Sequence, residues 1–224
     1  MSNVIVSFAR TPIGSFLGSL SSISSSNLGA VSIKGVISKV NLDPELVNHV
    51  IMGNVLSAGS GQAPARQASI YAGLSNSVNC LTINKMCGSG LESIILADQL
   101  IKNNPDQIIV AGGMENMSAA PYVARSARWG ERMGHSELVD TMLMDGLWDC
   151  FYDCHMGMTA ENLARQYNID RQEQDPKVGL LNNIHPHRHH PYHHYYNLQN
   201  LLHSHHIPHT HLEQANRNHS HCLE

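Results

Sequence analysis

The stretch that decides the fold is Asn84-Lys85-Met86-Cys87-Gly88-Ser89-Gly90-Leu91-Glu92. It follows an apolar run typical of a β-strand, residues 79–84, and it opens a segment with apolar residues at helical spacing, residues 88–103. The spacing predicts a strand that turns directly into a helix, with Cys87 between the strand and the first turn of that helix. The three residues after the cysteine are small, so a ligand can approach the backbone there.

Cys87 is the residue of this stretch that can carry chemistry. A thiol just before the first turn of a helix faces unpaired backbone N–H groups and the positive end of the helix dipole, which favour the thiolate. The thiolate is the nucleophilic form of cysteine and suits covalent acyl transfer. The alternative is a buried structural cysteine, which is the usual role of an isolated one. The small flanking residues favour the nucleophile.

Strand-like and helix-like segments alternate along the first part of the chain. The predicted strands are residues 4–8, 49–56, 79–84 and 108–111, the last buried on both faces. The predicted helices are residues 27–40, a start at Asp43-Pro44-Glu45, residues 63–73 and residues 88–103. The first helix is expected to have Asn27 as its N-cap, and its buried side is expected to carry Leu28, Val31, Val36 and Val40. This alternation predicts an α/β fold, with a mainly parallel sheet and helices on both faces.

Composition limits the classes of binding partner and the cellular compartment that we expect for this chain. The chain has 224 residues, a formal net charge of −4 and 14% charged residues, so its charge does not favour nucleic-acid binding. No run approaches the roughly 18 apolar residues of a membrane span, and the first residues lack the features of a secretory signal. The five cysteines are unevenly spaced, unlike a disulfide framework. We therefore expect a cytoplasmic protein with no nucleic-acid and no membrane partner.

The composition changes abruptly near Asp175-Pro176. Of the sixteen histidines, only His49, His135 and His155 precede this point. Residues 176–224 show neither helical nor strand periodicity, which predicts a disordered, low-complexity tail. Imidazoles in that tail can bind zinc, copper or nickel. The alternative, which we favour, is a tail without a selected function, such as one translated out of frame.

Three further groups of residues are weaker candidates for a site. Cys150 and Cys154 beside His155 resemble loose metal ligands, but no second ligand pair at zinc spacing precedes the tail, so no metal site is predicted. His155 itself precedes a helix expected to start at Thr159, and it either contacts a ligand or packs in its loop. Residues 112–118 follow a predicted strand, where α/β proteins bind ligands, although they could form only a buried turn.

Six ordered blocks carry a resemblance to a known family. They are Ala9-Arg10-Thr11-Pro12-Ile13-Gly14, Gly53-Asn54-Val55, Gln62-Ala63-Pro64-Ala65-Arg66-Gln67, Asn84-Lys85-Met86-Cys87-Gly88-Ser89-Gly90, Gly112-Gly113-Met114-Glu115-Asn116-Met117-Ser118 and His155-Met156-Gly157-Met158-Thr159-Ala160-Glu161. Together they resemble the N-terminal part of thiolases, most of all the biosynthetic acetyl-CoA acetyltransferases. The resemblance covers residues 1–175 and stops where the composition changes.

The resemblance implies roles for individual residues. Cys87 matches the family cysteine that takes the acetyl group from acetyl-CoA as a thioester, with its own N–H as one donor of the oxyanion hole. A second acetyl-CoA then attacks this thioester to give acetoacetyl-CoA and CoA. His155 and Met156 match loop residues that line the acyl and pantetheine pocket. No cofactor is implied apart from the coenzyme A thioesters, which are substrates.

The resemblance also implies a domain organisation and an assembly. Residues 1–117 match the N-terminal α/β half of a thiolase, residues 118–175 match the start of its loop domain, and residues 176–224 match nothing in the family. The strand before Cys87 matches the family's dimer interface, and the loop domain helps to assemble tetramers. A homodimer or homotetramer is therefore expected if the chain folds.

The chain departs from the thiolase pattern in the residues that support the nucleophile. The second half of a thiolase contributes an Asn-Glu-Ala-Phe block, a Gly-His-Pro histidine that activates the nucleophile, and a Cys-x-Gly-Gly-Gly cysteine that moves the proton at the acetyl methyl. None of these motifs occurs in the 224 residues. Because such groups act as a unit, we expect a truncated, inactive acetyl-CoA acetyltransferase. The alternatives are a non-catalytic remnant or interaction module, and a protein that binds metal through its histidine-rich tail.

Overall fold

The computed structural model of the protein describes residues 3–175, and the chain divides into two units after Gly146. The helices and strands of the first unit are α1 (Ser25–Lys39), β1 (His49–Gly53), α2 (Pro64–Tyr71), β2 (Asn79–Ile83), α3 (Ser89–Asn103), β3 (Ile109–Gly113), β4 (Tyr122–Val123) and β5 (Val139–Asp140). Those of the second unit are β6 (Trp148–Asp149), β7 (Cys154–His155) and α4 (Met156–Gln166). The predicted disordered tail lies outside the described residues.

Strands β1, β2 and β3 form one parallel sheet in the order β2-β1-β3. The last residue of the central strand, Gly53, is opposite Ile83 of β2 on one side and Gly113 of β3 on the other. Helix α2 connects β1 to β2, and α3 connects β2 back across β1 to β3. Because the two right-handed crossovers run in opposite directions, they place their helices on opposite faces. The predicted α/β fold with a mainly parallel sheet is confirmed.

The main core lies between the sheet and helices α1 and α2. Val50 and Met52 of β1 both face this core, since alternate residues of a strand share one side. The buried side chains of the core are Ile33, Ile37, Val47, Val50, Met52, Ala65, Ala68, Leu74, Val78, Val110 and Met114. The burial of these apolar groups stabilises the side of the sheet opposite α3.

Helix α3 packs on the other face, against the carboxyl ends of β1 and β3. A Cβ added to Gly53 would lie 2.5 Å from Cβ of Ser89 and 3.0 Å from the backbone nitrogen of Gly90. A Cβ added to Gly113 would lie 3.5 Å from Cα of Gly90. The glycine of β1 therefore allows the first turn of α3 to sit directly on the end of the sheet.

The predicted strand at residues 4–8 is wrong. Among residues 3–175, no strand pairs with this segment, which lies along α1 instead. Ser7 Oγ donates a hydrogen bond to the carbonyl of Val36 at 3.1 Å, and Lys39 Nζ donates to the carbonyl of Phe8 at 2.8 Å. An apolar run becomes a strand only when another strand satisfies its backbone groups. The apolar side chains of this segment are exposed, namely Val4, Ile5, Val6 and Phe8.

Helix α1 begins earlier than predicted and buries a different side. Its N-cap is Ser24, which accepts a hydrogen bond from the N–H of Asn27, the expected cap. Val31, expected to be buried, is 61% exposed. The buried residues of α1 are Ser25, Ser26, Gly29, Ala30, Ile33 and Ile37. Most of them are small because α1 packs closely on α2: a Cβ on Gly29 would lie 3.3 Å from Cβ of Ala68. A prediction that assigns the buried side of a helix to its largest apolar residues therefore misses the side that α1 buries.

The remaining predictions concern the helix start at Asp43, the burial of β3 and the absence of a membrane span. The Asp43 cap is confirmed, since its side chain accepts from the N–H of Glu45, but it starts only a single 3₁₀ turn, Pro44–Leu46. Strand β3 is not buried on both faces, because it lies at the edge of the sheet and only Val110 is fully buried. None of the described helices is both long enough and apolar enough to cross a membrane.

The α/β alternation stops after β3. The following residues of the first unit form the antiparallel pair β4 and β5, each two residues long, and isolated helical turns. A π-helical segment, Leu143–Leu147, lies where the first unit ends. The contacts divide the chain after Gly146, whereas the predicted domain boundary after residue 117 rests on resemblance and stays a prediction.

Candidate active site

Cys87 lies in the connection between Ile83, the last residue of β2, and Ser89, the first residue of α3. Its thiol is free and its side chain is exposed. The strand-to-helix location predicted from the sequence is confirmed. Met86, directly before the cysteine, has a φ of 49°, in the left-handed region that non-glycine residues seldom occupy. The backbone therefore turns sharply just before the thiol.

Two polar side chains hold this connection in place. Ser89 Oγ accepts a hydrogen bond from the N–H of Lys85 at 2.8 Å and donates one to the carbonyl of Met86 at 2.6 Å. Asn84 Oδ1 accepts from the N–H of Met86 at 2.9 Å. Ser89 is buried, so its hydrogen bonds are shielded from water and constrain the backbone strongly. The residue before Cys87 is thus fixed through both its N–H and its carbonyl.

The chemistry available to Cys87 follows from its place before α3. The thiol precedes a helix of 15 residues, whose N-terminus carries partial positive charge. The oxyanion of an acyl-transfer intermediate is negative, so this helix end favours an oxyanion that forms beside Cys87. Gly88 and Gly90 leave the approach to the thiol open. The arrangement suits an acyl-accepting nucleophile.

The loop after β1 lies beside the cysteine connection. The N–H of Asn54 donates to the carbonyl of Ile83 at 3.0 Å. Nδ2 of Asn84 donates to the carbonyl of Val55 at 3.4 Å. From the loop after β3, the carboxylate of Glu115 accepts from the N–H of Val55 at 2.7 Å. Hydrogen bonds therefore connect the loops that follow all three parallel strands.

Glu115 and Asn116 are residues of the site whose individual roles the sequence reasoning missed. Burial raises the pKa of the Glu115 carboxyl, although hydrogen bonds from neighbouring backbone and side-chain groups partly offset that rise. Nδ2 of Asn116 donates to three carbonyls of the segment before α1, those of Leu20, Ser21 and Ile23. The sequence did carry a signal, since both polar residues lie in the segment 112–118 that follows a predicted strand, but it gave no partner for either.

His155 and Met156 belong to the second unit. His155 is the N-cap of α4, and its Nδ1 accepts a hydrogen bond from the N–H of Gly157 at 3.0 Å. Met156 is the first residue of that helix. The helix therefore starts three residues before Thr159, the predicted start, because an imidazole nitrogen can cap a helix as a hydroxyl does. Cys87 belongs to the first unit, so the grouping of these three residues in one pocket stays a prediction.

The second unit also holds the cysteines considered as metal ligands. Cys150 is exposed and its thiol is free, whereas Cys154 is buried. Within residues 3–175, no three His, Cys, Asp or Glu side chains come together in an arrangement that could hold a metal ion. The metal-binding alternative for the histidine-rich tail lies outside the described residues. The expected absence of a metal therefore stays a prediction for the chain.

The fold agrees with the comparison to known families. Residues 3–179 match the family model described as thiolase, N-terminal domain. The chain belongs to the thiolase family.

Curated relatives carry related names. The acetyl-CoA acetyltransferase of Cupriavidus necator is 56% identical over 172 residues, which cover 77% of this chain and 44% of that protein. Acetyl-CoA acetyltransferase 2 of Arabidopsis thaliana is 52% identical over 171 residues, 76% of this chain and 42% of that protein. A probable acetyl-CoA acyltransferase of Staphylococcus aureus is 49% identical over 176 residues, 78% of this chain and 45% of that protein. The chain thus spans less than half the length of these relatives.

Proposed function

We propose that the chain supplies the nucleophile of an acetyl-CoA C-acetyltransferase, and that Cys87 is the residue that carries the acetyl group. The observation that carries this proposal is the exposed, free thiol of Cys87 held directly before the N-terminus of α3. The names of the relatives, which match this part of the chain, support acetyl-CoA as the acyl donor.

The proposed step is a transfer of the acetyl group between two sulfur atoms. The thiolate of Cys87 attacks the carbonyl carbon of acetyl-CoA and forms a tetrahedral oxyanion, which backbone N–H groups at the start of α3 stabilise. The bond between that carbon and the CoA sulfur then breaks, and CoA leaves as a thiolate. The product is an acetyl thioester on Cys87, and no redox partner or cofactor takes part.

His155 and Met156 complete the proposal as residues that contact the acyl and pantetheine groups. His155 accepts a hydrogen bond from the N–H of Gly157 with Nδ1 and so caps α4, which holds the ring at the start of that helix. The resemblance of these two residues to the loop residues that line the acyl and pantetheine pocket of thiolases supports the proposal.

Condensation to acetoacetyl-CoA needs groups that the resemblance assigns to other motifs. The 224 residues contain neither the Gly-His-Pro nor the Cys-x-Gly-Gly-Gly motif. We propose that a polypeptide of these residues accepts an acetyl group slowly and does not condense it, since it lacks the motif whose cysteine removes the methyl proton.

Intact-mass measurement after incubation with acetyl-CoA tests this function. The expected result is one acetyl group per chain in the wild type and in Cys150→Ala, and none in Cys87→Ala. Cys150 is the matched control because it is also exposed and free. Acetyl groups that persist in Cys87→Ala would contradict the proposal, and so would the production of acetoacetyl-CoA by the wild-type polypeptide alone.

We also propose that the chain forms a homodimer through the edge strand β2. Leu81 of this strand is 50% exposed, and an unpaired strand edge with apolar side chains favours a second copy. Sedimentation velocity compares the wild type with Leu81→Lys, using the exposed Leu46→Lys as control. A dimer lost only in Leu81→Lys is expected. A wild-type monomer, or a dimer that survives the β2 substitution, would contradict the interface.

The compartment we propose is the cytoplasm. Cys80, Cys87 and Cys150 are free thiols, as expected of a reducing environment. A tagged chain recovered with membranes or in a secreted fraction would overturn this assignment.

A further inference from the structure

A single carboxylate organises the loop that follows β1. Glu115 Oε1 accepts from Nδ2 of Asn54 at 2.8 Å, and Glu115 Oε2 accepts from the N–H of Val55 at 2.7 Å. The N–H of Leu56 lies 3.4 Å from Oε1 and 3.3 Å from Oε2. Three donors from consecutive residues thus converge on one side chain. An ionised carboxylate is suited to them because it accepts hydrogen bonds and donates none.

A chain of hydrogen bonds runs from this loop to the nucleophile. The carbonyl of Val55, whose N–H is bound by Glu115, accepts from Nδ2 of Asn84. Oδ1 of the same asparagine accepts from the N–H of Met86. Met86 holds the left-handed backbone conformation directly before Cys87. Each hydrogen bond fixes the group that makes the next one, so the position of the Glu115 carboxylate sets the position of the turn.

The strain at Met86 makes this support necessary. A non-glycine residue with a φ of 49° persists only where its surroundings over-determine it. Ser89 holds the carbonyl of Met86, and Asn84 holds its N–H. Without the Asn84 hydrogen bond, the N–H of Met86 loses its partner and the left-handed turn loses one of its two supports. Relaxation of that turn moves the backbone that carries the thiol.

We propose that Glu115 is a positioning residue for Cys87, which acts through the Val55 loop and the side chain of Asn84 to hold the turn before the nucleophile. This role rests on the proposed function of Cys87 as acetyl acceptor. Glu115 does not touch the acyl group. It sets the distance and direction between the thiol and the N–H groups at the start of α3, on which acyl transfer depends more strongly than simple alkylation does.

The purely structural alternative is a brace between the loops that follow β1 and β3. If Glu115 is only such a brace, its substitution lowers the stability of the whole first unit. The reactivity of every cysteine in that unit then changes to a similar extent. Cys80 of β2 offers the internal comparison, because its thiol contacts Arg66 and the carbonyl of Val78 and takes no part in the chain from Glu115. If Glu115 is a positioning residue, its substitution changes the reactivity of Cys87 and leaves the reactivity of Cys80 unchanged.

The test uses the full 224-residue chain with Glu115→Gln, and the exposed Glu45→Gln as matched control. Glutamine keeps the shape of the side chain but turns an NH₂ group toward the donors. The expected result is a fall of at least about tenfold in the rate of Cys87 acetylation by acetyl-CoA. Alkylation of Cys87 by iodoacetamide should change less than about twofold, and alkylation of Cys80 should stay constant. Equal changes at both cysteines, or an unchanged acetylation rate, would overturn the proposal.

A double-mutant cycle tests the proposed path. If Glu115 acts through Asn84, adding Asn84→Ala to Glu115→Gln slows acetylation no further than the slower single variant does. Effects that multiply would show that the two residues act independently and would overturn the path. If the glutamine variant does not fold, Glu115→Asp takes its place. Its shorter side chain keeps the charge but cannot reach all three donors, so slower acetylation is again expected, and an unchanged rate would overturn the proposal.

Amide hydrogen exchange separates this proposal from the function on which it rests. If the wild type takes up no acetyl group, the proposed function fails. The positioning claim still predicts that exchange at the N–H of Met86 accelerates at least about tenfold in the Glu115 variant, with no change at Ile51 in the centre of the sheet. Exchange at Met86 that is unchanged, or that rises together with Ile51, would contradict it.

Discussion

Gly53 and Ser89 meet so closely that a side chain at position 53 would force the start of α3 to shift. A Cβ on Gly53 would lie 2.5 Å from Cβ of Ser89 and 2.8 Å from its carbonyl carbon. We expect Gly53→Ala to lower the free energy of unfolding by about 2–3 kcal/mol, since backbone atoms of α3 cannot move aside as a flexible side chain does. Thermal or urea unfolding measures this loss.

The control is an alanine at another glycine of the same sheet. A Cβ on Gly112 would meet Sδ of Met52 at 3.6 Å, an ordinary contact with a flexible side chain. Gly112→Ala should therefore cost much less than Gly53→Ala. Equal losses in the free energy of unfolding of the two variants would show that α3 does not pack closely against β1.

Ser89→Ala should destabilise the connection that carries Cys87. It removes the acceptor of the Lys85 N–H and the donor to the Met86 carbonyl. The side chain is buried, so we expect a loss of about 1–3 kcal/mol in the free energy of unfolding, together with slower acetylation of Cys87. The exposed Ser77→Ala is the control. A Ser89 variant as stable and as reactive as the control would show that the hydroxyl does not support the turn.

The buried side of α1 can be tested with two neighbouring residues. Ile33 is 1% exposed and Val31 is 61% exposed. We expect Ile33→Ala to cost about 2–4 kcal/mol, whereas Val31→Ala should change stability by no more than about 0.5 kcal/mol. Chemical denaturation of both variants gives the comparison. A larger loss at Val31 would favour the face predicted from the sequence.

The pH dependence of the protein's stability should show that the pKa of the Glu115 carboxyl is raised. Burial raises the pKa of its carboxyl above the ordinary value of 4.5, so folding favours the protonated form. This contribution to the free energy of unfolding is fully present below pH 4.5 and is lost as pH rises through the raised pKa. Glutamine does not titrate. The Tm of the wild type minus that of Glu115→Gln should therefore decrease with rising pH in this range, and a constant difference would contradict the raised pKa.

The sequence predicts those elements whose stabilisation is local or whose pattern is unambiguous. The strand-to-helix stretch around Cys87, the Asp43 cap and the positions of β1, β2 and β3 along the chain all follow from spacing and turn residues. Residues 4–8 fail the same rule because a strand needs a partner that no local pattern supplies. The buried side of α1 fails because close helix packing selects small residues such as Gly29 over larger apolar ones.

The same distinction holds for the candidate site, where some features follow from local sequence and others depend on contacts between distant residues. The location of Cys87 follows from the small residues and the helix start beside it. The role of Glu115 could not be predicted, because its partners lie about 60 residues away and only the sheet register brings the loops together. The cap on α4 was assigned too late because His155 caps through a ring nitrogen, which sequence rules weigh less than hydroxyl or carboxylate oxygens.

Peptide mapping of the acetylated chain tests the central claim most directly. Cleavage after lysine and arginine releases residues 86–102, in which Cys87 is the only cysteine. After incubation with acetyl-CoA, the acetyl group should lie on this peptide and should be removed by added CoA, since thioester exchange between two thiols is reversible. An acetyl group on other peptides, or one on Cys87 that CoA does not remove, would contradict acetyl transfer through Cys87.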